Sequence, residues 1–178
     1  MYGLIGIAVK KLVETELGTS SWERICERAN FSEKDFIKAD SYEDKLIFDI
    51  VNEVSKESGI SVSDIFVKFG HYWIDFAISE GYGDAYKLGG DTFVSFLGNL
   101  NKLHTYVATT FPNLQPPHFL VNNDTGRSLQ LTYRSTRNGL EDMVVGLVEA
   151  LGLKFGLDVV ISKVSVNSDK VVFNVKYT

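Results

Sequence analysis

The chain has 178 residues, 44% of them hydrophobic and 23% charged; that length suits one domain with a core large enough to enclose a cavity, and the composition excludes a largely disordered chain. Eighteen basic against 23 acidic residues leave a net charge of -5, the wrong sign for a nucleic-acid binder. One cysteine and three histidines exclude an internal disulfide and a cysteine-built zinc site, so any metal chemistry is sparse.

The first nine residues are mostly apolar and are followed by Lys10 and Lys11. The run is far shorter than the ~20 residues of a membrane helix. A signal peptide carries its positive charges ahead of such a run, not behind it. It therefore reads as the start of a buried helix over 5–17, stopped by Gly18, in a cytoplasmic protein with no membrane partner. The lone Cys26 suits a reducing compartment. Thr19, Ser20 or Ser21 is expected to cap a second helix with Trp22, Ile25 and Cys26 inward. Ser41 precedes an i, i+4 stripe of Tyr42, Leu46, Ile50 and Val54. Ser61 or Ser63 opens another helix carrying Ile65, Phe66, Phe69, Tyr72, Trp73 and Phe76. Gly81, Gly83, Gly89 and Gly90 punctuate an expected loop. A helix resumes over 91–111 and ends at Pro112, Pro116 and Pro117, the only prolines of the chain.

Beyond the prolines the period changes. Residues 128–135 alternate, with Leu129, Leu131 and Tyr133 on one face and Gln130, Thr132 and Arg134 on the other, as in a half-buried strand. Residues 119–122 supply its partner across a turn at 123–126. A helix over 140–155 points Leu140, Met143, Val144, Leu147 and Leu151 inward. Residues 158–166 and 170–177 form two β-rich runs joined by a turn at 167–169. The order of helices, hairpin, helix, hairpin predicts an α+β fold: a helical layer followed by a four-stranded antiparallel sheet with an inserted helix.

Two features can carry chemistry. His104 occupies a slot in the apolar stripe Phe93, Leu97, Leu100, His104, Val107 and Phe111. Such a residue is either a core histidine bonded to a backbone carbonyl or a metal ligand. A lone imidazole suits a haem better than a bare ion, because the porphyrin supplies the other four ligands. The second feature is Tyr133, Ser135 and Arg137, which share one face if the strand runs through. Either the strand ends near Ser135 and Arg137 lies in solvent, or the three form a carboxylate clamp.

Tyr133-x-Ser135-x-Arg137 resembles the propionate-binding signature of the H-NOX family, the haem nitric oxide/oxygen-binding domains, and His104 stands where that family has its proximal haem ligand. The likeness runs the length of the chain. It includes the Met-Tyr-Gly start, Phe69-Gly70-x-Tyr72-Trp73, Gly81-Tyr82-Gly83, Pro116-Pro117, and Asn138-Gly139-Leu140 through Gly146-Leu147. It is nearest to cyanobacterial-type members and to the haem domain of soluble guanylate cyclase.

The resemblance implies one H-NOX domain over 1–178. A helical part would cover about 1–62, and a part carrying the haem-ligating helix and the sheet about 63–178, with haem b buried between them. It implies His104 on the iron, Tyr133, Ser135 and Arg137 on the propionates, and Pro117 against a pyrrole ring. Ile5, Leu100 and Leu147 would line the haem, and Gly70 would lie near the proximal side or its hinge. Trp73, Met143 and Val144 would form the distal gas pocket. Oxygen-binding members place a tyrosine donor where this chain has Met143, so NO and CO are the expected ligands and O2 is not. Trp73 either touches the gas with its indole N–H or fills space. NO would weaken the iron–His104 bond, shift the helix and change a surface read in trans by a partner such as a histidine kinase or diguanylate cyclase. The chain itself is expected not to be an enzyme. The rival reading is a hydrophobic-ligand-binding or scaffolding domain that kept the fold without haem. A haem peroxidase would need a distal acid/base, and His71 and His118 read as surface residues.

Overall fold

A computed structural model describes residues 1–32, 35–111, 113–167 and 170–178. The chain divides into two compact units, Met1–Phe69 and Gly70–Thr178.

The first unit is helical. Helix α1 (Gly3–Leu17) stops at Gly18, whose φ of 87° is unstrained only for glycine. Helix α2 (Thr19–Arg28) starts at once, with Gly18 itself in the capping position. The cap expected from Thr19, Ser20 or Ser21 is therefore not made. These residues already lie inside the helix, and the Ser21 hydroxyl donates back to the Leu17 carbonyl at 3.0 Å. Trp22, Ile25 and Cys26 are buried as the pattern predicts. Helix α3 (Asp44–Ser58) begins after Glu43 rather than Ser41, because Ser41 forms an isolated antiparallel bridge with Tyr2. Its buried stripe is Ile47, Ile50, Val51 and Val54; Tyr42 and Leu46 are only partly covered. Helix α4 (Val62–Ala77) has the expected start: Ser61 Oγ accepts from the Asp64 N–H at 3.1 Å and donates to its carboxylate at 2.6 Å.

The second unit begins within α4. After it, a short π-helical turn, Ile78–Tyr82, leads into α5 (Gly83–Lys87). The loop expected around Gly81 is thus mostly helical. Gly81 takes a φ of 100°, which bends the chain without ending the coil, and the break falls later at Gly90 with a φ of 96°. Helix α6 (Phe93–Ala108) is followed by β1 (His118–Asn122), β2 (Ser128–Arg134), α7 (Glu141–Lys154), β3 (Val159–Val166) and β4 (Lys170–Tyr177). The strands form one antiparallel sheet in the order β1-β2-β4-β3. The fold is α+β, as the change of period requires. Pro112 and the turn residues Ser168 and Asp169 lie outside the described residues.

The sheet's inner face presents Leu129, Leu131 and Tyr133 from β2 and Val171, Phe173 and Val175 from β4. Val144, Val148 and Leu151 of α7 join that cluster. Helix α7 buries a second face as well. A Cβ on Gly70 of α4 would lie 2.3 Å from the Met143 carbonyl oxygen and 2.7 Å from the Leu147 nitrogen. The single inward stripe expected for this helix is therefore two faces. One, which includes Val148, meets the sheet; the other, with Met143 and Leu147, meets α4 backbone to backbone.

Candidate functional site

Helix α6 opens with a capping box: Thr92 Oγ1 accepts from the Ser95 N–H at 3.2 Å, and the Ser95 hydroxyl takes the Thr92 N–H at 3.1 Å. Its first turns are embedded, with Phe93, Phe96 and Leu97 all below 5% exposure. Leu100 packs partly buried against the sheet core, and His104 follows one turn later.

The His104 ring is partly covered, but its Nδ1 is fully enclosed and has no hydrogen-bond partner. Among the described residues it is the one buried side-chain nitrogen or oxygen left so. Burial pushes the pKa of His104 down to about 4, while the nearby Leu100 carbonyl pulls weakly the other way without reaching hydrogen-bond geometry. The imidazole is therefore neutral at pH 7, the protonation state in which histidine binds a metal. An enclosed nitrogen without a partner costs stability unless something else engages the ring. Among the described residues no group of three His, Cys, Asp or Glu side chains stands ready for a metal ion. A metal at His104 would need its remaining ligands from a cofactor.

Phe119 of β1 stacks on His104, with ring centroids 5.9 Å apart and planes 16° off parallel. It also meets Tyr133 at 5.4 Å, its partner across the β1–β2 ladder. Tyr133 is 5% exposed. Burial raises its pKa; a hydrogen bond with Ser135 and the positive Arg137 lower it in part, and Glu141 opposes them. Strand β2 ends at Arg134, so period-two geometry does not place Ser135 and Arg137 beside Tyr133. A turn gathers them instead: Ser135 Oγ accepts from the Arg137 N–H at 2.9 Å. Arg137 is partly buried and its side chain has a backbone partner at an exposed position. Its Nη1 donates to the Gln115 carbonyl at 2.8 Å, which brings Arg137 to the stretch that precedes Pro116 and Pro117.

Elsewhere in this unit, Trp73 is partly buried and contacts Phe76 at 5.8 Å. Met143 and Leu147 lie partly buried on the α7 face that meets Gly70. Val144 is buried in the sheet core. His71 is half-exposed and pairs with Glu149 of α7 at 2.9 Å, and His118 is exposed. Ile5 is a partly buried residue of α1 in the first unit. Sequence reasoning missed Asn101, Gln115 and the site role of Phe119. The Asn101 side chain bonds the backbone of Phe119 and the Gln115 carbonyl accepts from the Arg137 side chain, side chain-to-backbone pairings across the sequence that neither period nor composition signals.

The Haem-NO-binding family model matches residues 2–163. The chain belongs to that family. This H-NOX domain is 28% identical over 160 residues to soluble guanylate cyclase gcy-33 of Caenorhabditis elegans, covering 89% of this chain and 17% of that protein. It is 26% identical over 159 residues to soluble guanylate cyclase 89Db of Drosophila melanogaster, covering 89% and 24%. It thus spans a quarter or less of the curated relatives it matches. Among solved structures, an H-NOX protein from S. oneidensis in the Fe(II)NO state superposes with a TM-score of 0.90 at 21% identity, covering 100% of this chain and 99% of that one. An oxygen-binding H-NOX domain, solved as its oxygen complex, superposes with a TM-score of 0.82 at 18% identity, covering 100% and 95%. One fold thus serves proteins solved with different gases, and the backbone alone does not choose between them.

The donor set around His104 fits a haem. One neutral imidazole could serve as the haem ligand, and Tyr133, Ser135 and Arg137 carry hydroxyl and guanidinium donors that could hold its carboxylates.

Proposed function

We propose that this domain is a non-catalytic haem b sensor for NO and CO that does not hold O2, and that it acts in the cytoplasm on a partner in trans such as a histidine kinase or diguanylate cyclase. The observation that carries the reading is the enclosed, neutral and unpartnered nitrogen of His104. His104 would ligate the haem iron, Tyr133, Ser135 and Arg137 would hold the propionates, and Pro117, Leu100 and Leu147 would help to hold the ring; the haem would supply the chemistry of binding a diatomic gas.

Trp73 and Met143 would set the polarity on the gas side; Val144, expected beside them, is buried in the sheet core. Bound O2 is polar and gains from a hydrogen-bond donor; NO and CO gain much less. Met143 offers no donor, which supports NO and CO over O2 where the Trp73 indole fills space and its N–H does not reach the gas. His104 would tie α6 to the cofactor, so the position of α6 would depend on that tie. Signalling follows only if a partner binds the two helix positions with different affinity.

The test is the absorption spectrum of the purified protein supplied with haem. A Soret band is expected, lost or weakened in His104→Ala and recovered with added imidazole. The ferrous form is expected to change with NO and with CO and to form no stable oxy species in air. A stable oxy spectrum would refute the gas assignment. Failure to take up haem would favour a domain that binds another hydrophobic ligand or serves as a scaffold.

A further inference from the structure

We propose that Asn101 is a positioning residue that locks β1 to the His104 helix, so that movement of α6 is carried into the sheet; the inference rests on the reading of His104 as the iron ligand. Asn101 precedes His104 by about one helical turn. Its Nδ2 donates to the Phe119 carbonyl at 2.7 Å, and its Oδ1 accepts from the Phe119 N–H at 2.9 Å. The two bonds fix the orientation of the amide, since the reverse orientation would set donor against donor and acceptor against acceptor. His118 Nε2 lies 3.5 Å from the same Nδ2, too far to compete.

β1 is an edge strand, and an edge strand has backbone groups with no neighbouring strand to bond. At Phe119 the carboxamide of Asn101 takes that place, presenting one donor and one acceptor as a peptide group would. The same Phe119 places its ring against His104 and Tyr133. One residue of β1 is therefore held twice by α6, through its backbone at Asn101 and through its ring at His104. A shift of α6 either draws β1 along at Phe119, two residues after Pro117, or breaks both hydrogen bonds.

The experiment compares wild type with Asn101→Leu, which keeps the size and removes both bonds, and Asn101→Asp, which keeps the acceptor for the Phe119 N–H and loses the donor. The first readout is amide hydrogen exchange at Phe119 in the haem-free protein. Asn101→Leu is expected to lower protection about tenfold, and Asn101→Asp to lower it less, because one carboxylate oxygen still accepts from the Phe119 N–H although the other now opposes the Phe119 carbonyl. The second readout is the iron–histidine stretching frequency of the ferrous, gas-free protein by resonance Raman. It is expected to shift in Asn101→Leu and to return toward wild type in Asn101→Asp. Unchanged protection of Phe119 in Asn101→Leu would overturn the proposal. So would an unchanged stretching frequency despite lost protection, which would leave Asn101 a purely structural residue. A wild-type protein that takes up no haem would overturn the haem reading and the coupling to it. The exchange data would then still decide whether Asn101 holds β1.

Discussion

Replacing Gly70 with Ala tests the backbone contact between α4 and α7. The added Cβ would lie 2.3 Å from the Met143 carbonyl oxygen, 2.7 Å from the Leu147 nitrogen and 3.0 Å from the Gly146 carbonyl carbon. All three are backbone atoms of one helix, so no side chain can swing aside. The helices must part by about 1 Å, and forced overpacking of this kind costs ~1–3 kcal/mol. Alanine returns up to ~1 kcal/mol of helix propensity, and for the upper part of that range, which a clash with three backbone atoms calls for, the net loss is about 1–2 kcal/mol. In a chain of this size that lowers Tm by about 3–6 °C and moves the urea midpoint down with an unchanged slope. Gly98→Ala is the control. Gly98 lies in α6 with no atom within 4 Å of its added Cβ, so it is expected to gain about 0.5–1 kcal/mol. A Gly70→Ala variant as stable as wild type, measured beside a stabilised Gly98→Ala, would refute the close approach.

Thr92→Ala removes the cap at the head of α6 and is expected to cost about 1 kcal/mol in denaturant titration. Met143→Tyr places a hydroxyl donor on the α7 face that meets Gly70; the ferrous haem-loaded variant is expected to show an oxy spectrum in air that wild type lacks. The carboxyls of Glu53 and Glu57 are both held below the usual carboxylate pKa of 4.5, Glu53 by Lys56 and then Arg28, Glu57 by Arg24 and then Arg28. Groups lowered on folding contribute stability that is complete above the unfolded pKa and is lost as pH falls through the folded value. Wild type is therefore expected to lose stability as pH drops below about 4.5. Glu57→Gln should flatten that acid limb in urea midpoints measured between pH 7 and pH 3.

What the sequence discloses of this fold is what depends on local period. The strands over 118–122, 128–134, 159–166 and 170–177 are legible because alternation is a property of the residues themselves. The start of α4 is legible for the same reason, since Ser61 and Asp64 are near neighbours. Helix α7 is misread because it is apolar on two faces, and a one-stripe template cannot say which face meets the sheet and which meets Gly70. The Tyr133, Ser135, Arg137 group is found by its spacing, yet the geometry behind the spacing is a turn at Ser135 and not a continuing strand. Asn101 was invisible for a plain reason: a polar residue on a helix announces no partner, and its partner is the backbone of Phe119.

Burial along α6 decides where that helix can yield. Phe93, Phe96 and Leu97 are 1–4% exposed, whereas no residue of the helix beyond Leu97 is fully buried. Regions with few buried contacts open at lower free energy than embedded ones, so a shift of α6 would be taken up by its C-terminal half before its N-terminal half. A stiff helix pivoting about its embedded turns displaces its far end most. The largest movement then falls beyond His104, where Tyr106 is 49% exposed. Asn101 stands at the junction of the two halves. In such a shift the sheet would receive the smaller part through Phe119, and the exposed end of α6 would show the larger part to solvent.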